Sequence, residues 1–175
     1  MSIVVLVGNP RPQSRTFQVA LKAAAAIAER IGDGDAVEAV DLSALAPGLL
    51  GAVLAPEAQD ALDRVASADV LLVASPTYKA TYTGLLKVFL DRLRGGALAS
   101  TVALPLLVMG DPKHSLAVEV HLRPLLVELG AVVPTPGLAF LESQLAAADE
   151  VLGAWADTVA PQVVAAELAR DAARI

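Results

Sequence analysis

Cysteine is absent from all 175 residues, which excludes disulfides, thiol nucleophiles, zinc–thiolate sites and iron–sulfur clusters. Histidine is scarce. His114 and His121 are the only two, so a metal-centred mechanism has few ligands to draw on and no metal site is expected. No run rich in lysine and arginine occurs, and the formal net charge is −6. Proteins that track a phosphate backbone present a basic face, so nucleic acid is not an expected partner. Long apolar runs are missing too. A membrane helix needs about 20 apolar residues in a row, whereas the longest stretches here are Ser2 to Gly8 and Val102 to Gly110, the second interrupted by Pro105. The first apolar run has no charged lead, so neither a signal peptide nor a membrane partner is expected, and the expected location is cytoplasmic. Aromatic residues make up 3% of the chain, so the position of each carries information.

What is present alternates between two patterns. Ile3-Val4-Val5-Leu6-Val7 is a continuous apolar run, mostly β-branched and ending at Gly8, as a strand covered on both faces reads. After Pro10 and Pro12, Ser14 or Thr16 caps a helix that runs to about Arg30 and ends at Gly32 and Gly34. Val37 to Leu42 alternates apolar with acidic residues and predicts a second strand near a sheet edge. Past Pro47 and Gly48, a helix is expected from about Pro56 to Ser67, with proline in its first turn. Val70 to Ala74 predicts a third strand, Thr83 to Arg94 a helix ending at Gly95-Gly96, and Val102 to Met109 a fourth strand. Ser115 to Leu129 reads as a helix despite Pro124. Ala131 to Val133 and Leu138 to Leu141 are both candidates for a fifth strand. A last helix begins near Leu145 and is expected to bend or break at Pro161. This β-α repetition implies one α/β domain over residues 1–175, with a parallel sheet between two helical layers. Ligands of such folds sit beyond the carboxyl ends of the strands, where strand order reverses.

The loop after the first strand is Gly8-Asn9-Pro10-Arg11-Pro12-Gln13-Ser14-Arg15-Thr16. It combines hydroxyls, an amide and two guanidiniums with the free N–H groups of a helix start, all of which favour an anion such as phosphate. It is neither a P-loop nor a dinucleotide fingerprint, since no Gly-Lys-Ser/Thr and no Gly-x-Gly-x-x-Gly occurs. An ordinary polar loop with two surface arginines is the alternative. The loop after the third strand, Ser75-Pro76-Thr77-Tyr78-Lys79-Ala80-Thr81-Tyr82-Thr83, holds both tyrosines of the chain. Such rings flank a flat heterocycle or pack a loop on the next helix, and the loop alone does not choose between them.

Together the two loops resemble the NAD(P)H-dependent FMN reductase family, particularly the branch serving two-component alkanesulfonate and methanesulfonate monooxygenases. Gly8-Asn9-Pro10-Arg11-Pro12-Gln13-Ser14 is similar to that family's Gly-Ser-x-Arg-x-x-Ser loop, with Asn9 in place of the commoner serine. Ser75-Pro76-Thr77-Tyr78 matches its Ser/Thr-Pro-x-Tyr loop, and the run from Tyr78 to Lys87 looks like the sulfonate-linked branch. The resemblance covers nearly the whole chain and implies a flavodoxin-like three-layer α/β/α sandwich with a five-stranded parallel sheet.

It further implies that Asn9, Arg11, Ser14 and Thr16 bind the FMN phosphate with Arg15 nearby, and that Pro76, Thr77, Tyr78 and Lys79 border the isoalloxazine ring. Where the family carries a Gly-Gly pair after the fourth strand, this chain has Gly110 and Asp111 as the flavin-side residues, with one glycine. The implied cofactors are FMN and NADPH or NADH. The implied reaction is hydride transfer to flavin, for which no catalytic acid or base need be named; only Lys79 has an electrostatic role open to it. A partner monooxygenase would receive the reduced flavin, and a homodimer or homotetramer is the family expectation. A reductase that retains FMN and reduces quinones or azo compounds is the alternative, and a flavodoxin-type electron carrier a weaker one. In the two-component branch, the helix that carries Pro124 can hold a π-bulge. The apolar phase slips between Val120 and Leu122, so Val120 or His121 is a candidate insertion. A proline kink with His121 facing solvent is the alternative.

Overall fold

The computed structural model describes residues 1–32 and 37–172. Gly34, expected to help end the first helix, lies outside the described residues. The strands are β1 (Ile3–Val7), β2 (Glu38–Asp41), β3 (Val70–Pro76), β4 (Val102–Met109) and β5 (Leu138–Leu141). The helices are α1 (Arg15–Ile31), the single turn α2 (Leu42–Leu45), α3 (Pro56–Ala66), α4 (Gly84–Leu90), α5 (Arg123–Glu128) and α6 (Ala148–Ala172). All five strands pair in parallel, in the order β2-β1-β3-β4-β5. That is the flavodoxin-like order, which reverses direction between β1 and β3.

Every residue of β1, β3 and β4 is buried, as runs of Val, Leu and Ile require between two helical layers. Side chains alternate faces along each strand. Leu6, Leu71, Val73 and Leu107 therefore join Leu62 and Val65 of α3, Phe89 of α4 and Leu126 of α5 in one core. Val5, Val7, Leu72 and Leu104 point the other way and meet Val19 and Ile27 of α1, with Leu152, Trp155 and Val159 of α6. The buried positions of α1 recur at three- and four-residue spacing, so one stripe faces the sheet. Ser14 caps this helix, and Gly32 ends it in the left-handed region at φ 70°.

Pro105 stands inside the interior strand β4 without costing it a ladder bond. Val102 donates its N–H toward β3, to Asp69 O at 2.9 Å, and Ala103 donates the other way, to Val132 O at 2.8 Å. Alternation turns position 105 to the same side as Ala103, and the pairing with β5 begins only at Leu106. The missing N–H falls in that gap.

Two elements differ from the sequence expectation, and at two others the structure chooses between alternatives that the sequence left open. The helix expected to reach Arg94 ends at Leu90: Arg92 N and Leu93 N bond three residues back, to Phe89 O and Leu90 O. The Arg92 guanidinium reaches Leu49 O and Gly51 O instead of following a helical surface. Of the two candidate fifth-strand segments, only Leu138–Leu141 pairs as a strand, and Val132 makes a single bridge to Val102. The prolines at 134 and 136 separate the two segments. Helix α6 continues from Ala148 to Ala172 through Pro161 without a break. Finally, residues 118–122 form a π-turn in which Arg123 N bonds Val118 O five residues back. The slip in apolar phase marks this turn, and Val120 and His121 are both exposed within it.

Candidate functional site

The carboxyl ends of β1 and β3 are tied together before any ligand is considered. Gly8 N donates to Ala74 O at 2.8 Å, and the Thr83 hydroxyl donates to Gly8 O. Thr83 also caps α4 by accepting from Leu86 N at 3.1 Å, while its own N–H donates to Ser75 Oγ at 3.0 Å. Gly8 fits here because it has no side chain; a Cβ would meet Leu86 Cβ at 2.5 Å.

From Gly8 the chain turns into α1. Asn9 is buried, with Nδ2 donating to Thr16 Oγ1 at 3.2 Å and Oδ1 accepting from Arg11 N at 2.9 Å. Asn9 thus shapes the loop rather than standing free in it. Ser14 Oγ accepts from Phe17 N at 3.1 Å, which leaves Arg15 N and Thr16 N among the uncommitted donors of the helix start. The positive end of the α1 dipole lies at the same point. The Arg11 guanidinium has no ion-pair or hydrogen-bond partner among the described residues. Arg15 does have one, since its Nη1 lies 2.9 Å from Glu142 Oε2.

Past β3, Thr77 N donates to Val108 O at 2.8 Å, and Tyr78 and Thr81 exchange backbone bonds across a two-residue turn. Lys79 and Ala80 occupy that turn at φ 52° and 69°. The turn holds Tyr78 with 42% of its surface exposed, whereas Tyr82 packs against the core below α4. The Thr77 hydroxyl is buried and has no hydrogen-bond partner among the described residues.

An open cleft of about 460 Å³ joins these loops, lined by Asn9, Arg11, Pro12, Ser14, Arg15, Thr16, Pro76, Tyr78 and Glu142. Of the residues singled out from the sequence, the fold brings Asn9, Arg11, Ser14, Arg15, Thr16, Pro76 and Tyr78 into this one cavity. Thr77 and Lys79 follow on the same loop outside its lining. Gly110 and Asp111 stand just past β4, the strand beside β3, also outside the lining. Among the described residues, nothing lies within 4 Å of where a Gly110 Cβ would stand. Asp111 accepts from Lys113 N at 3.0 Å and pairs with Lys113 Nζ at 2.7 Å, which holds its carboxyl below the ordinary carboxylate range. Glu142 is the residue that sequence reasoning missed. It follows β5 directly and meets Arg15 at the start of α1, 127 positions earlier in the chain.

The cleft suits a flat ligand with an anionic tail. Its lining combines two guanidiniums and the helix N–H groups at the start of α1 with Pro76 and a half-exposed tyrosine. The orphaned Thr77 hydroxyl beside them is a buried polar group that a ligand would satisfy. Among the described residues, no helix is long and apolar enough to cross a membrane.

A flavodoxin-like sheet with this cleft at its switch point defines the class, a flavodoxin-like oxidoreductase. The chain belongs to the NADPH-dependent FMN reductase family, whose family model matches residues 1–145. An FMN reductase (NADPH) of Escherichia coli K12 is 34% identical over 148 residues, covering 83% of this chain and 75% of that enzyme. An FMN reductase (NADPH) of Pseudomonas putida is 40% identical over 94 residues, 54% of this chain, and the match spans about half of that relative, 48% of its length. Among solved structures, an NADH:FMN oxidoreductase, EMOB in its apo form, is similar with a TM-score of 0.77 and 34% identity. That match covers 96% of this chain and 89% of that one.

Proposed function

We propose that the protein is an NAD(P)H-dependent FMN reductase that supplies reduced FMN to a partner monooxygenase. The observation that carries this reading is the meeting, in one open cleft, of Arg11 and the start of α1 with Pro76 and Tyr78. FMN, when bound, supplies a ring that accepts hydride from the nicotinamide. The chain's own residues bind and orient. Arg11, Arg15 and the N–H groups at the start of α1 take the phosphate, with Ser14 and Thr16 beside them and Asn9 holding the loop in shape. Pro76, Thr77 and Tyr78 border the ring, the Thr77 hydroxyl gaining the partner it lacks. Lys79, at the tip of the turn, supplies positive charge toward the ring's electron-rich side. Gly110 leaves room against the flavin, with Asp111 beside it. Both nicotinamide nucleotides stay in play, since NADPH stands in the names of two relatives and NADH in that of EMOB.

Release of reduced flavin to a monooxygenase rests on the likeness of the Tyr78 to Lys87 run to the sulfonate-linked branch, and the openness of the cleft favours exchange. Assembly as a homodimer or homotetramer is part of the same reading, and the exposed Leu116, Val120 and Val127 are compatible with it.

The test is steady-state oxidation of NADPH and NADH with FMN added or omitted, and with a quinone for comparison. Turnover that saturates with added FMN and vanishes without it is the expected result. Quinone turnover indifferent to added FMN would instead mark an enzyme that retains its flavin. No oxidation under any condition would return the electron-carrier reading.

A further inference from the structure

A cleft built for a phosphate has no obvious use for a carboxylate, yet Glu142 stands in its wall. Among the described residues it is the one acidic member of the lining, and its Oε2 lies 2.9 Å from Arg15 Nη1. Both side chains are well exposed, at 46% for Glu142 and 64% for Arg15, so neither is needed to fill the core. The pair belongs to the lining of the cleft and links the segment after β5 to the first turn of α1. Asp41 also stands near the loop, where its carboxylate takes backbone N–H groups. It accepts from Ser43 N at 3.0 Å and Gln13 N at 3.4 Å and lies outside the lining.

A phosphate monoester brings a charge of about −1.5 to −2 at neutral pH. Arg15 faces two anions that compete for one fork of donors. If it turns to the phosphate, Glu142 loses its partner and remains as an unpaired like charge at short range. If it stays with Glu142, the phosphate has Arg11 and the helix N–H groups alone. Either way, the carboxylate lowers the affinity of the cleft for the phosphate and leaves the ring contacts at Pro76 and Tyr78 untouched.

We infer that Glu142 is an internal competitor for Arg15 that weakens flavin binding through the phosphate, keeping FMN exchangeable. This rests on the proposed reductase reading and adds a residue that sets how readily the flavin leaves. A protein that passes its flavin on needs a bound lifetime short enough for transfer. An ion pair that re-forms as the phosphate departs supplies that directly.

The experiment is fluorescence titration of FMN and riboflavin into the wild-type protein and an E142Q variant, at low and high salt. Glutamine keeps the size and polarity of the side chain and removes the charge. The expected result is FMN binding tighter in E142Q by about three- to fivefold, the scale of an exposed charge pair, with riboflavin unchanged. Salt should shrink the difference, because exposed charges are screened, and stopped-flow dilution should show slower FMN release. If E142Q binds FMN equally well or more weakly, Glu142 orients Arg15 rather than competing for it, and the inference falls while the reductase reading stands. An equal gain for riboflavin would also overturn it, since that gain would not run through the phosphate. If the wild-type protein shows no preference for FMN over riboflavin, the phosphate cleft itself is refuted and both readings fall.

Discussion

At the scale of single residues, Arg11 and Gly8 do opposite kinds of work. Arg11 contributes nothing visible to the fold, since its guanidinium meets no partner among the described residues, so its loss should be felt only by an anion. Arg11→Ala is expected to weaken FMN binding by at least about 1.5 kcal/mol, the low end for a hydrogen bond to a charged group. Calorimetric titration checks this, and an unchanged FMN affinity would remove the phosphate assignment. Gly8 is the reverse case. An added Cβ would fall 2.5 Å from Leu86 Cβ, an atom that cannot move without its helix. Gly8→Ala should therefore lower stability by about 1–3 kcal/mol, as overpacking typically does. Gly110→Ala should leave stability nearly unchanged, because no atom lies within 4 Å of the new carbon, and should act on FMN affinity instead. Urea denaturation beside FMN titration separates the two glycines. Equal stability losses in both variants would contradict this division.

At the scale of elements, the π-turn is held by a charged clasp. Arg123 pairs with Glu119 and donates to Val133 O at 2.7 Å and Thr135 O at 2.6 Å, while Glu119 Oε1 accepts from Gly137 N at 2.7 Å. The loop that leads into β5 is thereby fastened to residues 118–122. The hydrogen bond from Arg123, together with that from Gly137, holds the Glu119 carboxyl below the ordinary glutamate value of 4.5 despite partial burial. A carboxyl with a lowered pKa adds stability that is fully present above its unfolded value and is lost as pH falls through its folded one. E119Q should thus unfold at a lower temperature than the wild type at neutral pH. The gap should narrow as pH drops below about 4.5. Thermal melts across that range read it directly, and a gap independent of pH would show that the clasp acts through shape alone.

The elements also show what a sequence can and cannot convey. The runs Ile3–Val7, Val70–Ala74 and Val102–Met109 announce buried strands, because nothing but a two-sided core accepts so many apolar residues in a row. The phase slip before Pro124 announces the irregular turn. The early end of α4 is silent in the sequence, since Arg92 leaves the helical path for carbonyls of Leu49 and Gly51, more than 40 positions away. The cleft divides in the same way. Asn9, Arg11, Ser14 and Tyr78 lie on loops, and Pro76 at the end of β3, at places that follow from the β-α repetition. Glu142 enters through its contact with Arg15, 127 positions away, and no local pattern encodes that meeting.

At the scale of the whole molecule, the cleft draws on six residues between Asn9 and Thr16, on Pro76 and Tyr78, and on Glu142, so it exists only when the sheet is complete. A ligand that needs the assembled cleft binds the folded state alone and stabilises it by mass action, by about 2.7 kcal/mol at a hundredfold excess over Kd. FMN should accordingly raise the melting temperature in a concentration-dependent way, and riboflavin should do so less. Differential scanning fluorimetry at graded ligand concentrations measures this. An FMN-independent melting temperature would mean that the cleft does not take the flavin.

The pairing of the first helix with the last has a consequence for how the chain comes into being. Lys22 joins Asp149 at 2.8 Å and Arg30 joins Asp157, above a shared apolar seam of Val19, Ala23 and Ile27 with Leu152, Trp155 and Val159. These partners are more than 120 positions apart. On the ribosome, the apolar stripe of α1 emerges early and its cover is synthesised more than a hundred codons later. For that interval the nascent chain carries an uncovered greasy ridge, the kind of surface that chaperones grip and that leads crowded chains to aggregate.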